Sequence, residues 1–222
     1  MRIIVMAASK GGVGKTTLTA ALAVEATAKR GKTALIDLDP QQSLARWWEL
    51  RGKPANPILV STTGDGLAAQ VERMAKEGIE WLFIDTPPAL MTRILPAVRV
   101  ADLVVIPAKP SPLDVEAVDA MVEMCRDYGR PFVFVLNMTA NTSRAGLAGS
   151  AAKYLAVDGS VLDEQLVDRQ AHPAAMTNGK TAAETDKSGK CGEEVAGLWK
   201  SIVKSVRDSK PVLASASKRI MS

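Results

Sequence analysis

Ile3-Ile4-Val5-Met6-Ala7, followed after Ala8 by Ser9-Lys10-Gly11-Gly12-Val13-Gly14-Lys15-Thr16-Thr17, opens the chain with an apolar run that breaks into a glycine-rich turn. The run has the length and β-branched content of a buried strand, and the helical pattern over 16–30 starts where the glycines end. Glycines at such a junction let backbone N–H groups turn inward around phosphate oxygens, and the helix N-terminus adds its dipole. Lys15 is then placed to reach terminal phosphates, and the Thr16 hydroxyl to hold Mg²⁺. The general pattern of such loops has Gly at the place of Ser9. This chain carries instead a second lysine, Lys10, directly before Gly11 and Gly12.

Outward from that loop, further apolar runs at Thr33–Ile36, Ile58–Val60, Trp81–Ile84, Leu103–Ile106 and Phe132–Leu136 read as strands. Helical patterns at 41–51, 66–77, 114–128 and 144–155 separate them. Strands apolar on both faces that alternate with helices predict a doubly wound, mostly parallel α/β sheet with helices on both faces. Ligands of such sheets bind beyond the carboxyl ends of the strands, so the loops after residues 7, 36, 84, 106 and 136 carry the chemistry.

Two of those loops are acidic. Asp37-Leu38-Asp39-Pro40-Gln41 sets Asp37 and Asp39 on one side of the strand end, as nucleotide-site carboxylates or as caps of the next helix. Trp81-Leu82-Phe83-Ile84 delivers Asp85-Thr86-Pro87-Pro88, with Asp85 where a carboxylate supports the Mg²⁺ shell through water. Together with the glycine loop, these residues predict Mg²⁺ and ATP as cofactors.

Composition bounds the rest. The 222 residues suit one α/β domain, expected over 1–208, with a Ser/Ala-rich flexible tail at 209–222. Hydrophobic content of 47% with 23% charged residues excludes a disordered chain. No apolar stretch reaches the roughly 18 residues of a membrane span. The first strand starting at Arg2 predicts no signal peptide. Cys125 and Cys191 form no CxxC pair, which points to a reducing cytoplasm. His172, the single histidine, excludes a histidine-rich metal site. The net charge of +4 is unevenly placed: residues 1–164 hold 18 basic and 18 acidic side chains, and residues 165–222 hold 10 and 6. That asymmetry fits an anionic partner met by one end of the molecule, or a solvated surface.

Val195, Leu198, Trp199, Ile202, Val203 and Val206 form one apolar stripe, as a helix docked on the sheet or one lying on a membrane surface would show. Trp47-Trp48, beside Arg46, reads as an exposed partner contact or as core.

In their order and spacing, KGGVGKTT, DLDPQ and FIDTPP resemble the ParA/MinD family of deviant Walker A ATPases. More narrowly, they resemble small ParA partition ATPases without an N-terminal DNA-binding extension. The resemblance implies a P-loop NTPase fold. Lys15 is then the lysine of its own site, and Lys10 reaches the ATP of a partner subunit. Gly11, Gly12, Val13, Gly14 and Thr17 complete the phosphate loop with Thr16, and Gln41 and Asn137 join the nucleotide site. Asn137 resembles the residue that reads the base edge; a buried amide capping a strand end is the alternative. Asp39 positions the attacking water, and Asp85 completes the Mg²⁺ shell.

The same resemblance implies a homodimer when ATP is bound, non-specific DNA binding and hydrolysis stimulated by a ParB-like or other cargo-bound adaptor. It also implies a cytoplasmic, nucleoid-associated place with no stable membrane insertion. The loop Ile106–Asp114, rich in proline, would shape the dimer face. Arg169 lies where a DNA-contacting arginine is expected, and Lys187, Lys190, Lys200, Lys204 and Arg207 are further DNA-binding candidates or solvated surface. A MinD-like switch acting at a membrane surface is the competing expectation. A cluster-bearing reductase is disfavoured by the cysteine spacing, and an amide ligase by the lack of room for a substrate domain.

Overall fold

The computed structural model describes residues 1–88, 91–140 and 145–209. Each apolar run forms a strand: β1 (Arg2–Met6), β2 (Thr33–Asp37), β3 (Ile58–Leu59), β4 (Trp81–Asp85), β5 (Leu103–Ala108) and β6 (Phe132–Thr139). Two short strands follow, β7 (Ser160–Val161) and β8 (Leu166–Val167). The order across the sheet is β3-β2-β4-β1-β5-β6-β7, with β8 paired to β6, and every pairing is parallel. The first strand is therefore central, and the loop that follows it emerges mid-sheet.

The helices are α1 (Lys15–Ala28), α2 (Ser43–Leu50), α3 (Leu67–Lys76), α4 (Met91–Val100), α5 (Pro112–Glu116), α6 (Asp119–Asp127), α7 (Ala145–Leu155), α8 (Ala171–Met176), α9 (Ala182–Thr185) and α10 (Lys190–Asp208). The helix expected over 114–128 is in fact two, α5 and α6, with Ala117 and Val118 between them. Ser111 starts α5 by accepting from the Asp114 amide, and Pro112 supplies the fixed φ of a first helical turn. Sequence patterning missed α4 because Pro96 sits inside it, where proline removes an intrahelical hydrogen bond. The tail expected over 209–222 lies, beyond Ser209, outside the described residues.

Helices cover both faces of the sheet. Leu67, Val71 and Met74 of α3, Ile94 and Val98 of α4, Met121 and Cys125 of α6 and Leu155 of α7 pack on one face. On the other face lie Leu18 and Leu22 of α1, Leu44 and Trp47 of α2, and the stripe of α10. Val195, Leu198, Ile202 and Val206 are fully buried there, and the Trp199 ring meets Trp81 edge-on at 4.6 Å. Each such side chain contributes about 1.5–3 kcal/mol by leaving water. The stripe therefore faces the sheet and is not a membrane-facing surface. Trp47 is core, with 2% of its surface accessible, and Trp48 is half-buried with its indole N–H donated to the Pro57 carbonyl.

Strand register fixes what the carboxyl edge presents. Asp85 stands opposite Met6 on one side and Asp37 on the other, so the glycine loop and both acidic loops leave the sheet at the same level.

Candidate nucleotide site

Gly14 caps the N-terminus of α1 with φ +91°, a left-handed conformation that glycine adopts without steric cost. A Cβ there would also lie 2.2 Å from the Asn137 Nδ2, so the loop and β6 approach too closely for any side chain. Asn137 closes that contact, donating from Nδ2 to the Val13 carbonyl at 2.7 Å while its Oδ1 accepts from the Met138 amide at 2.9 Å. Its amide is engaged with the loop. That bond places Asn137 against the phosphate loop at the end of β6.

The two lysines of the loop part company. Lys15 is buried, and its Nζ donates to the Lys10 carbonyl at 3.3 Å. Burial pulls its pKa below the ordinary lysine value, against the raising influence of Asp85 and Asp39. Lys10 keeps 41% of its side chain accessible and pairs with Asp114 of α5 at 2.9 Å. Burial pushes the Asp114 carboxyl up, but Ser111 and Lys10 outweigh it and hold the group below its usual range.

Behind the loop, Thr16 Oγ1 donates to Asp85 Oδ2 at 2.6 Å. The other carboxylate oxygen of Asp85 is buried without a hydrogen-bond partner. Burial, then the neighbouring Asp37 and Asp39 charges, push the Asp85 pKa up to about 7, against the Thr16 hydrogen bond and Lys15. A hydroxyl and a carboxylate with an orphaned oxygen make an oxygen donor set that suits a hard cation such as Mg²⁺. Among the described residues no group of three or more His, Cys, Asp or Glu could hold a metal alone. Remaining ligands would have to be phosphate and water, as is usual for Mg²⁺.

The two residues of the first acidic loop divide their work. Asp37 is a helix cap: its carboxylate accepts from the amides of Asp39, Leu44 and Ala45, each at 3.0 Å. Asp39 is half-buried, accepts from the Gln41 amide at 2.9 Å, and lines the cavity beside the loop. Gln41 itself is exposed and is not part of that wall.

The cavity holds about 690 Å³. Gly11, Gly12, Gly14, Lys15, Thr16 and Thr17 form its floor, and Asp39, Ser43, Arg46, Trp47 and Leu50 one side. Met138, Pro173, Met176 and Thr177 form the other. Those last four, with Ser43, Arg46, Trp47 and Leu50, were not assigned to the site by sequence reasoning. The one signal for them was Met138, next to Asn137 at a strand end; short α8 has no periodicity to announce it.

The basic candidates are not equivalent. Arg169 donates to Glu194 at 2.6 Å with 18% of its side chain accessible. Lys187, Lys190, Lys200, Lys204 and Arg207 are exposed. At about 100° per residue, the four on α10 fall within roughly 100° of arc opposite the buried stripe. Glu193 and Asp208 interrupt that face.

A glycine loop between the central strand and a helix, a buried lysine on it and a Thr–Asp pair beneath it define a P-loop nucleotide-binding protein. The chain belongs to the CobQ/CobB/MinD/ParA nucleotide binding domain family, whose model matches residues 4–182. It is 40% identical over 115 residues to the "Maintenance of carboxysome distribution protein A" of Gloeobacter kilaueensis, covering 51% of each chain. The chain spans about half the length of the curated relatives it matches first. In fold it is similar to the MinD cell division protein of Aquifex aeolicus, with a TM-score of 0.78 at 16% identity over 92% of this chain and 98% of that one. The ATP complex of a Cyanothece McdA variant has a TM-score of 0.69 at 17% identity, over 93% and 96% of the two chains. No helix among the described residues is long and apolar enough to cross a membrane.

Proposed function

We propose that this chain is a ParA-type ATPase that positions a DNA or protein cargo by cycling between an ATP-bound dimer on DNA and a released form after hydrolysis. One observation carries the reading: a single glycine loop bears one lysine buried under it and a second, half-exposed one paired with Asp114 beside it. The buried Lys15 serves its own nucleotide. The half-exposed Lys10 serves a nucleotide across a dimer face, once it leaves Asp114. Lys10 and Lys15 then bring two cations to the γ-phosphate, where phosphoryl transfer gathers charge. Asp39, on the cavity wall, orients the attacking water.

Thr16 and Asp85 would hold Mg²⁺, which when bound would supply neutralisation of phosphate charge. A carboxylate cluster whose buried member sits near pKa 7 and lacks one partner supports a cation there. The name of the Gloeobacter kilaueensis relative supports a protein assembly as one class of cargo, beside plasmid or chromosome DNA. Lys187, Lys190, Lys200, Lys204 and Arg207 supply the DNA-gripping face, doubled in a dimer, and Arg169 joins it only by giving up Glu194. A cargo-bound adaptor protein stimulates hydrolysis, and the DNA-held dimer places the protein at the nucleoid within the cytoplasm. The burial of the α10 stripe weighs against the membrane-surface reading for that helix.

A duplex-DNA mobility shift with ATP, with ADP and without nucleotide, at two salt concentrations, tests the proposal. A shift with ATP alone that weakens steeply with salt is expected. Binding that ignores the nucleotide, or ATP-dependent sedimentation with anionic liposomes in place of DNA, overturns it.

A further inference from the structure

We propose that α2 is a strut fastened at both ends, and that Arg51 and Glu184 are positioning residues that join the Asp39 loop to the α8–α9 wall of the cavity. The inference rests on reading that cavity as the nucleotide site.

The first end of α2 is held by Asp37, whose carboxylate takes the amides of Leu44 and Ala45 as well as that of Asp39. Any displacement of the Asp39 loop therefore pulls on the helix. The far end is held by Arg51, whose two terminal nitrogens donate to the two oxygens of Glu184 at 2.8 and 2.6 Å. The same guanidinium donates to the Gly179 carbonyl at 3.0 Å and lies over the Trp47 ring, 5.4 Å from its centre. The Trp47 indole N–H donates to the Lys180 carbonyl at 3.0 Å. Gly179 has φ +65°, and a Cβ there would sit 2.3 Å from the Arg51 backbone nitrogen. The turn before α9 is built to receive the end of α2.

Between its fastened ends α2 presents Ser43, Arg46, Trp47 and Leu50 to the cavity, facing Pro173 and Met176 of α8. The separation of these two walls is set by the Arg51–Glu184 bond and the Gly179 contact. A bidentate guanidinium–carboxylate pair specifies geometry in a way that a single-point ion pair does not. Glu184 also closes the capping box of α9, accepting from the Thr181 amide at 2.9 Å, and α9 packs on α10. Occupancy of the cavity is thereby linked through α2 and α9 to α10, which carries the exposed Lys190, Lys200 and Lys204.

Glu184→Gln, Arg51→Lys and Gly179→Ala in the full chain test this. Glutamine preserves the capping box while removing the charge, so Glu184→Gln isolates the clamp from the helix start. Binding of ATP with Mg²⁺ is measured by calorimetry, and hydrogen exchange is followed with and without ATP. For Glu184→Gln and Arg51→Lys the expected result is an ATP affinity about three- to tenfold weaker, with the melting temperature within about 4 °C of wild type. ATP should slow exchange in both α2 and residues 171–186 of the wild type, but only in α2 of Glu184→Gln. Gly179→Ala, which parts the walls sterically, should behave like the two clamp variants.

Unchanged affinity with protection retained over 171–186 overturns the strut. Lower melting temperatures with an unaltered protection pattern reduce the clamp to a structural contact and overturn it equally. Failure of the wild type to bind ATP overturns instead the nucleotide reading beneath it.

Discussion

Thr16 Oγ1 donates to Asp85 Oδ2 across 69 residues of sequence, tying the first turn of α1 to the end of β4. The bond satisfies one oxygen of a fully buried carboxylate and leaves the other without a partner. Burying an unpaired charge is costly, so the ionised carboxylate destabilises the fold unless a cation neutralises it.

Asp85→Asn should therefore melt at the same temperature as the wild type or higher in the absence of nucleotide. The wild type should gain about 2.7 kcal/mol from Mg²⁺ and ATP at 100 times Kd, read as a rise in Tm. Asparagine keeps the Thr16 contact but offers no charge, so most of that rise should vanish. An equal Mg²⁺-dependent rise in the variant would remove Asp85 from the cation site.

Lys10→Ala should still bind ATP, because Lys15 and the loop amides remain, but should lose the ATP-dependent dimer. Light scattering on eluting protein with and without ATP reads the difference. Asp114→Asn, which frees Lys10 from its pair, should leave dimerisation intact or favour it. Wild-type dimerisation by Lys10→Ala would refute the cross-interface role.

Asp39→Ala should bind ATP and dimerise while hydrolysing about 100-fold more slowly, the range expected when a water-orienting group is lost. Phosphate release under single-turnover conditions is the measurement. Normal turnover would place the water elsewhere.

The Glu184 carboxyl is pushed up by burial, but the Arg51 and Thr181 hydrogen bonds outweigh this and hold it below its ordinary value of 4.5. A carboxylate with a depressed folded pKa contributes stability above its unfolded pKa and loses it as pH falls through the folded value. Wild-type stability should therefore fall from about pH 4.5 downward more steeply than that of Glu184→Gln. Parallel acid-denaturation curves would show that the pair contributes nothing.

On the basic face, Lys204→Ala should weaken ATP-dependent DNA binding similarly for all sequences and reduce the log–log salt slope by about 1. Arg169→Ala should lower Tm more than Lys204→Ala, because it removes the cation paired with Glu194 and leaves that carboxylate only the Val167 amide. A Lys204→Ala slope equal to wild type would take Lys204 out of the phosphate contacts.

Much of the site was legible because local chemistry defines it. The Lys10–Thr17 loop needs glycines in sequence, and Asp85 must follow a buried strand. The roles of Asp37 and Asn137 were open because a carboxylate or amide at a strand end has two uses, and distant partners choose between them. The amides of Leu44 and Ala45 make Asp37 a cap. The Asn137 amide is held against the loop by the Val13 carbonyl. Pro96 hid a helix, and α8 and α9 are too short to show a period.

The α/β class, the phosphate loop and the acidic loops follow from the order of residues along the chain, because strand and helix periods and glycine turns are local properties. So does the uneven charge. Folding in three dimensions is what sets Lys10 against Asp114, buries the α10 stripe and brings Arg51 to Glu184. Such contacts join residues far apart in the chain, and only the register of the sheet and the packing of its two helical layers bring them within a few ångströms.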